Sequence, residues 1–312
     1  MEMLSRVAER VFWMARYLER AECTARVVNV LSQLRMDLPK GTELPWSTLL
    51  DVFGADHLPD SLKNNEGEHA VLSYIMARAG NPSSIRSSIK AARENARTTR
   101  GILPEELWEL INELNLFVLE STEKSINRRN RFEFLSEIIT RCQTLSGFLM
   151  TTHIRDHTYK FIIAGHLLER LDVTVRVVNA VSKAIDSRNG SNPAFDALIW
   201  AGLLDSVSAL GAYRQSIGPM IDSDTAINFI VLNPDLPRSI VYCLNTIRMS
   251  IKSLKNSEKV IGPIDYGLKR LYYFDAGEMK SEETRRCLAD LQDCGERLTI
   301  NATNNWFLPL AP

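Results

Sequence analysis

One stretch of this chain occurs twice. Residues 18–32, from Leu18 to Ser32, and residues 168–182, from Leu168 to Ser182, are identical at nine of fifteen positions at a fixed offset of 150. The shared residues include Glu19, Arg20, Arg26 and Asn29, with their copies Glu169, Arg170, Arg176 and Asn179, and Glu22 is matched by Asp172. A set of charges is therefore repeated together with its apolar frame. Two further anchors follow in the same order. Trp46 to Asp51 is echoed by Trp200 to Asp205 at offset 154, and Pro82 to Ile85 by Pro237 to Ile240 at offset 155. Such a pattern predicts two similar units: an all-α, internally duplicated multi-helix bundle, with one repeat half at 1–152 and the other at 153–312, packed as one domain.

Helical periodicity supports this. Leu4, Val7, Val11, Met14, Leu18, Ala21, Ala25 and Val28 alternate spacings of three and four, an apolar stripe along one long helix that Pro39, Gly41 and Pro45 bring to an end. Phe12, Trp13, Val27, Val30 and Leu31 lie off the stripe, so neighbours are expected around the whole helix. The second long helix is expected to start at Asp156 as N-cap and to break at Asn189-Gly190. Between the anchors the pattern predicts helices near 66–79, 83–100, 105–124, 131–150, 193–210, 223–231, 238–255, 264–274 and 280–306. Asn127 to Arg131 reads as a polar surface loop, and no segment alternates as a strand would.

Composition excludes more than it proposes. A formal net charge of -1 gives no whole-chain reason to expect nucleic acid or an acidic membrane as partner. Five scattered cysteines without a CxxC pair point to a reducing compartment. The first residues lack the order of a signal peptide, and no apolar run approaches the ~18 residues of a membrane span. The expectation is a soluble, cytoplasmic protein.

In both copies an acid precedes an arginine by four residues, Glu22 to Arg26 and Asp172 to Arg176, the spacing of an intrahelical ion pair. Arg16, Glu19 and Arg20 fall between apolar positions and need partners from neighbouring helices if buried. The set reads either as a structural network joining the halves or as one that also lines a ligand site. Arg93, Arg97 and Arg100 are spaced to share a helix face, which suits either solvent or the bidentate holding of phosphate and carboxylate groups. His153 and His157 have metal-ligand spacing only if one helix contains both, and Asp156 between them argues for a helix start. His166 lies three residues before Glu169, but the matched acids of a carboxylate-bridged metal bundle are not found, and neither metal nor cofactor is expected. Cys23 has Val173 as its counterpart, which favours a small core residue over a nucleophile. Serine-hydrolase elbows and phosphate-binding glycine loops are absent.

These residues together resemble the alpha-E family, a bacterial all-helical family recognised by its glutamate-arginine motif. The resemblance is carried by Met3 to Arg10, Arg16 to Glu22, Ala92 to Arg97 with Trp108 and Asn112, and Arg155 and Asp156 with Phe161 and Leu168 to Arg170. It covers essentially the whole chain. It implies that Glu19, Arg20, Glu169 and Arg170 are the motif residues, with Arg93, Glu94 and Arg97 next. It also implies a context: such proteins are typically encoded beside, or fused to, a circularly permuted ATP-grasp protein, often with a transglutaminase-like protease, in systems thought to build or process amide-linked peptides. The chain departs from the pattern at Tyr159 and His166, where tryptophan and arginine are expected, so the two halves need not be chemically equivalent.

Three functions remain open on this reading. One is an accessory helical subunit that binds the ATP-grasp ligase or its peptide product through an arginine-rich surface. Another is an enzyme in its own right, using Glu19 or Glu169 as general acid/base. The third is a scaffold whose charges only dock the halves. Apolar helices such as 105–124 would also suit a homo-oligomer.

Overall fold

The computed structural model describes residues 5–39, 42, 44–53, 67–187 and 192–308. Met3, Leu4, Gly41, Glu66, Asn189 and Gly190, invoked above, lie outside them. The described residues form helices and no strand.

The apolar stripe forms α1, Ser5–Asp37, in which Val11, Met14, Ala21, Ala25 and Val28 are completely buried. Pro39 follows its last turn. The repeated stretch forms α7, His157–Asp186, and Asp156 caps it by accepting a hydrogen bond from the Tyr159 amide at 3.0 Å. These two long helices run in the same direction against each other. Phe12 meets Gly165 near their starts, and Val27 shares a small cavity with Val177 and Val181 further on. The approach is tight at Gly165, where a Cβ would stand 2.3 Å from the Phe12 carbonyl oxygen.

Shorter helices surround this pair. On the first side are α2 (Thr48–Phe53), α3 (Glu68–Leu72, running into a π turn at Ser73–Ala77), α4 (Ile85–Arg97), α5 (Glu105–Ser125) and α6 (Arg128–Thr152). On the second are α8 (Pro193–Ser206), α9 (Leu210–Ser216), α10 (Ser223–Leu232), α11 (Ile240–Ile251), α12 (Ser257–Leu271) and α13 (Ser281–Ala302), the last ending in a π turn at Thr303–Phe307. Helices α4 and α6 flank α1 and are bridged by α5, whereas α11 and α13 flank α7 and are bridged by α12. The anchors cross over: α8 packs mainly on α1, and α2 mainly on α7. The Pro-x-Ser-Ile anchors begin α4 and α11, where Ser84 and Ser239 accept from the amides of Ser87 and Tyr242.

Several expectations are corrected. Asn127 to Arg131 is not a loop: Asn127 accepts from the Arg129 amide and starts α6, and Arg131 is buried. Arg131 donates to the Ile126 carbonyl, pairs with Glu68 at 2.7 Å and lies over Trp46. Helix α12 starts seven residues before the predicted 264, with Pro263 inside it. Proline removes the bond to the carbonyl four residues back, and that carbonyl, of Lys259, instead accepts from the Asn301 side chain at 2.9 Å. Helix α9 is too short for periodicity to reveal. It is held by the fully buried Tyr213, whose hydroxyl meets Thr225 Oγ1 at 2.7 Å.

No single helix among the described residues is long and apolar enough to cross a membrane. The pair α8 and α9 has the composition of a span, but its two members meet at 114°.

Candidate functional site

The side chains of neighbouring residues on a helix diverge by about 100°, so a Glu-Arg pair can engage one partner helix only where that helix lies between them. The parallel packing of α1 and α7 does this in both directions. Arg20 grips Glu169 with two donors, Nε to Oε1 at 2.5 Å and one terminal nitrogen to Oε2 at 2.9 Å. Arg170 grips Glu19 the same way, at 2.7 and 3.1 Å. The forked guanidinium matches a carboxylate, which makes each contact directional as well as electrostatic. Both carboxylates are at most 2% exposed.

Second partners distinguish the two. Arg16 adds a 2.7 Å bond to Glu169, and its far nitrogen reaches Thr299 on α13 at 3.1 Å. Glu19 takes its additional arginine from another element: Arg238, just before α11, donates to Glu19 at 2.9 Å and to Glu22 at 2.8 Å. His166 stands in the place corresponding to Arg16, with Nε2 3.0 Å from Glu19 and 2.6 Å from the Arg170 guanidinium. Since arginine only donates, the shorter contact requires an unprotonated Nε2. Around this centre the intrahelical pairs form as expected, Arg26 to Glu22 at 2.7 Å and Arg176 to Asp172 at 3.2 Å. Asn29 and Asn179 take no part in the ion pairs.

Burial opposes ionisation of both motif glutamates, but the arginines overcome it. Arg20 and Arg16 hold Glu169 down to about 2, and Arg170 with Arg238 holds Glu19 well below the usual carboxylate range. Asp172, with less compensation, is raised by its burial. His166 is lowered to about 4, chiefly by burial and then by Arg170 and Arg238, despite Glu19 beside it. Burial pushes the Cys23 thiol well above its ordinary range; Cys23 donates to Glu19 at 3.3 Å and is no nucleophile in this state.

The only space lined by both Glu19 and His166 among the described cavities is about 20 Å³, enough for one water molecule. Clefts large enough for a ligand lie elsewhere. One of about 800 Å³ opens between α4 and α5, and one of about 700 Å³ opens beside α8 and α10.

The remaining sequence candidates stand apart from the buried centre. Arg93 donates to Asn112 at 2.8 Å and to Glu94 at 2.8 Å, and stacks over Trp108. Arg97 is exposed and bonds Glu94 at 2.9 Å, and Arg100 lies beyond the end of α4, so the expected three-arginine helix face is not continuous. Arg100 nevertheless reaches the same Trp108 ring. Arg155 donates to the Met150 and Leu149 carbonyls at the end of α6 and lies 3.9 Å from the Tyr159 ring, while Asp156 caps α7; both shape the corner between the two helices. His153 caps α6 and His157 starts α7, so they share no helix. No group of three or more His, Cys, Asp or Glu among the described residues is arranged to hold a metal ion.

Sequence reasoning missed Arg238. Its one signal was its place within the Pro237 to Ile240 anchor, where the other copy has Ser83. It also missed Asn115, a buried carboxamide on α5.

A family model described as a predicted alpha-helical domain with a conserved ER motif matches residues 3–307. The chain has four Glu-Arg dipeptides, at 9, 19, 169 and 296, and only those at 19 and 169 place the glutamate in the core. Uncharacterized proteins of Mycobacterium bovis and Mycobacterium tuberculosis are similar to it at 22% identity, over 92% of this chain and 34% of their own length. The chain thus spans about a third of the length of the curated relatives it matches. No solved structure matches it.

Proposed function

The chain belongs to the Alpha-E family, and from that premise we propose that it is a non-catalytic helical binding module, an accessory subunit of an ATP-grasp-dependent system that forms or processes amide-linked peptides. The observation that carries the non-catalytic reading is the burial of both motif glutamates, with a space of only about 20 Å³ beside Glu19. A general acid/base must touch its substrate and exchange a proton near the working pH. Here both carboxylates are walled off and held ionised by paired arginines.

In this reading the Glu-Arg motif is a clamp. Two copies of one helical unit, 1–152 and 153–312, are locked together through their long helices, and binding is left to the outer clefts. The partner is a circularly permuted ATP-grasp protein, with a transglutaminase-like protease as a further member. The greater length of the relatives is consistent with it, since there the segment similar to this chain makes up about a third of a longer polypeptide. Variants at Arg20 or Arg170 would report on the fold rather than on an interface, because both are inside the clamp.

The test is ATP consumption by the neighbouring ATP-grasp protein, with mixed amino-acid and peptide acceptors, in the presence and absence of this chain. Turnover that requires both supports the accessory role. Full turnover by the ligase alone, with no co-purification of the two, refutes it.

A further inference from the structure

The cleft between α4 and α5 has two unlike walls. Along α4, Arg86, Lys90 and Arg93 recur at spacings of four and three and all line the opening. Opposite them, Leu116 and Leu119 on α5 are 57% and 45% exposed, an apolar wall with no covering segment among the described residues. The volume of about 800 Å³ suits a small ligand.

The three cations are not equally engaged. Arg86 is paired with Glu123 at 3.1 Å, and Arg93 is held by Asn112 and Glu94. Those contacts fix the wall while leaving each guanidinium unused donors. Lys90 is exposed and has no ion-pair partner among the described residues. Glu94 is the one carboxylate lining the cleft, so cations outnumber it.

Asn115 is the independent sign of a ligand. It is only 5% exposed, the surface it keeps lines the cleft, and its carboxamide has no hydrogen-bond partner among the described residues. Buried amides normally find partners, and one left open toward a cleft is equipped to take both a donor and an acceptor from a bound molecule. Tyr17 lines the same space, with its ring against Trp13 and Arg20.

We propose that this cleft binds a short acidic peptide: a backbone amide on Asn115, a carboxylate against Lys90 and its flanking arginines, and an apolar side chain on Leu116 and Leu119. A peptide unit offers the paired C=O and N–H that a carboxamide complements, which a simple anion does not. This assignment rests on the binding-module reading but not on the identity of the partner. Tyr17 joins the cleft to the clamp, because Arg20 beneath its ring is the residue that grips Glu169.

Calorimetric titration of the full chain with acetyl-Leu-Glu-methylamide, with the Leu-Gln analogue and with inorganic phosphate tests this directly. The acidic dipeptide is expected to bind saturably and more tightly than either of the others. Lys90→Glu, a surface change that leaves melting unaltered, is expected to weaken it about tenfold or more, as is the isosteric Asn115→Asp. No saturable binding, phosphate binding as tightly as the peptide, or an affinity unchanged in Lys90→Glu would each overturn the proposal. Such a failure would leave the ATP-consumption test of the accessory role untouched.

Discussion

Glu169 and Glu19 occupy matching places on parallel helices, yet they are neutralised by different routes. Glu169 receives two arginines, Arg16 and Arg20, both from α1. Glu19 receives Arg170 from α7 and Arg238 from the start of α11, while the position matching Arg16 holds a histidine that burial keeps neutral. Each carboxylate thus ends with two guanidinium partners. What is preserved is the charge balance around a desolvated anion, not the residue at each position, as expected if an unpaired buried charge is the costly state. The exchange has two consequences. Arg238 ties a third helix to the Glu19 cradle, and His166 gives that cradle an imidazole that the other lacks.

The largest expected effect is from Glu19→Gln, which takes the carboxylate from Arg170 and leaves Arg238 with Glu22 alone. We expect a loss of about 3–5 kcal/mol in urea unfolding, and a similar one for Glu169→Gln, which takes the carboxylate from Arg20 and leaves Arg16 with Thr299. The comparison breaks if the two variants melt like the parent protein. Next is Arg238→Met against Arg16→Met. The first removes partners from both Glu19 and Glu22 and should cost more than the second, which is expected near 1.5–3 kcal/mol. An equal cost would mean that the bond to Glu22 adds nothing, and a much smaller one that Arg238 is not the substitute for the missing arginine.

Gly165→Ala tests the close approach of the two helices. A methyl 2.3 Å from the Phe12 carbonyl forces backbone apart, with an expected cost of about 1–3 kcal/mol. Acid sensitivity sharpens the difference between the cradles. His166 has a folded value of about 4 against an ordinary 6.5, so the unfolded chain takes up the proton first. Stability should therefore fall as pH drops from about 6.5 toward 4, by at most about 1.4 kcal/mol per unit. Glu169, at about 2 against an ordinary 4.5, adds a loss only below about pH 4.5. Unfolding free energies at pH 7, 6 and 5 should lose most of the first slope in His166→Gln, leaving the part due to His153, which burial also lowers; an unchanged slope would assign it to another group. The smallest effect is expected at Arg97→Ala, an exposed pair with Glu94, where melting should barely move.

Much of this was legible in the sequence. The stripe of α1, the Asp156 cap and the intrahelical pairs at 22–26 and 172–176 follow from spacing alone. Contacts between helices do not, because periodicity says which face is buried but not what lies against it. Hence the need of Arg16, Glu19 and Arg20 for partners could be stated, but not that Glu169 and Glu19 would exchange arginines across one axis. Arg238 was hidden for the same reason, reaching the motif from 219 residues away. Arg131 was misread because a basic run looks solvated until Trp46 and Glu68 close over it. Asn115 was invisible because a single amide carries no pattern.

The central claim is that the repeated charges lock α1 to α7. A double-mutant cycle on Arg20→Met and Glu169→Met, read by urea unfolding, tests it most directly. The account predicts that each single change costs more than the pair together on a per-residue basis, with a coupling of about 2–3 kcal/mol across the helix interface. Additive losses with negligible coupling, in folded protein, would contradict it.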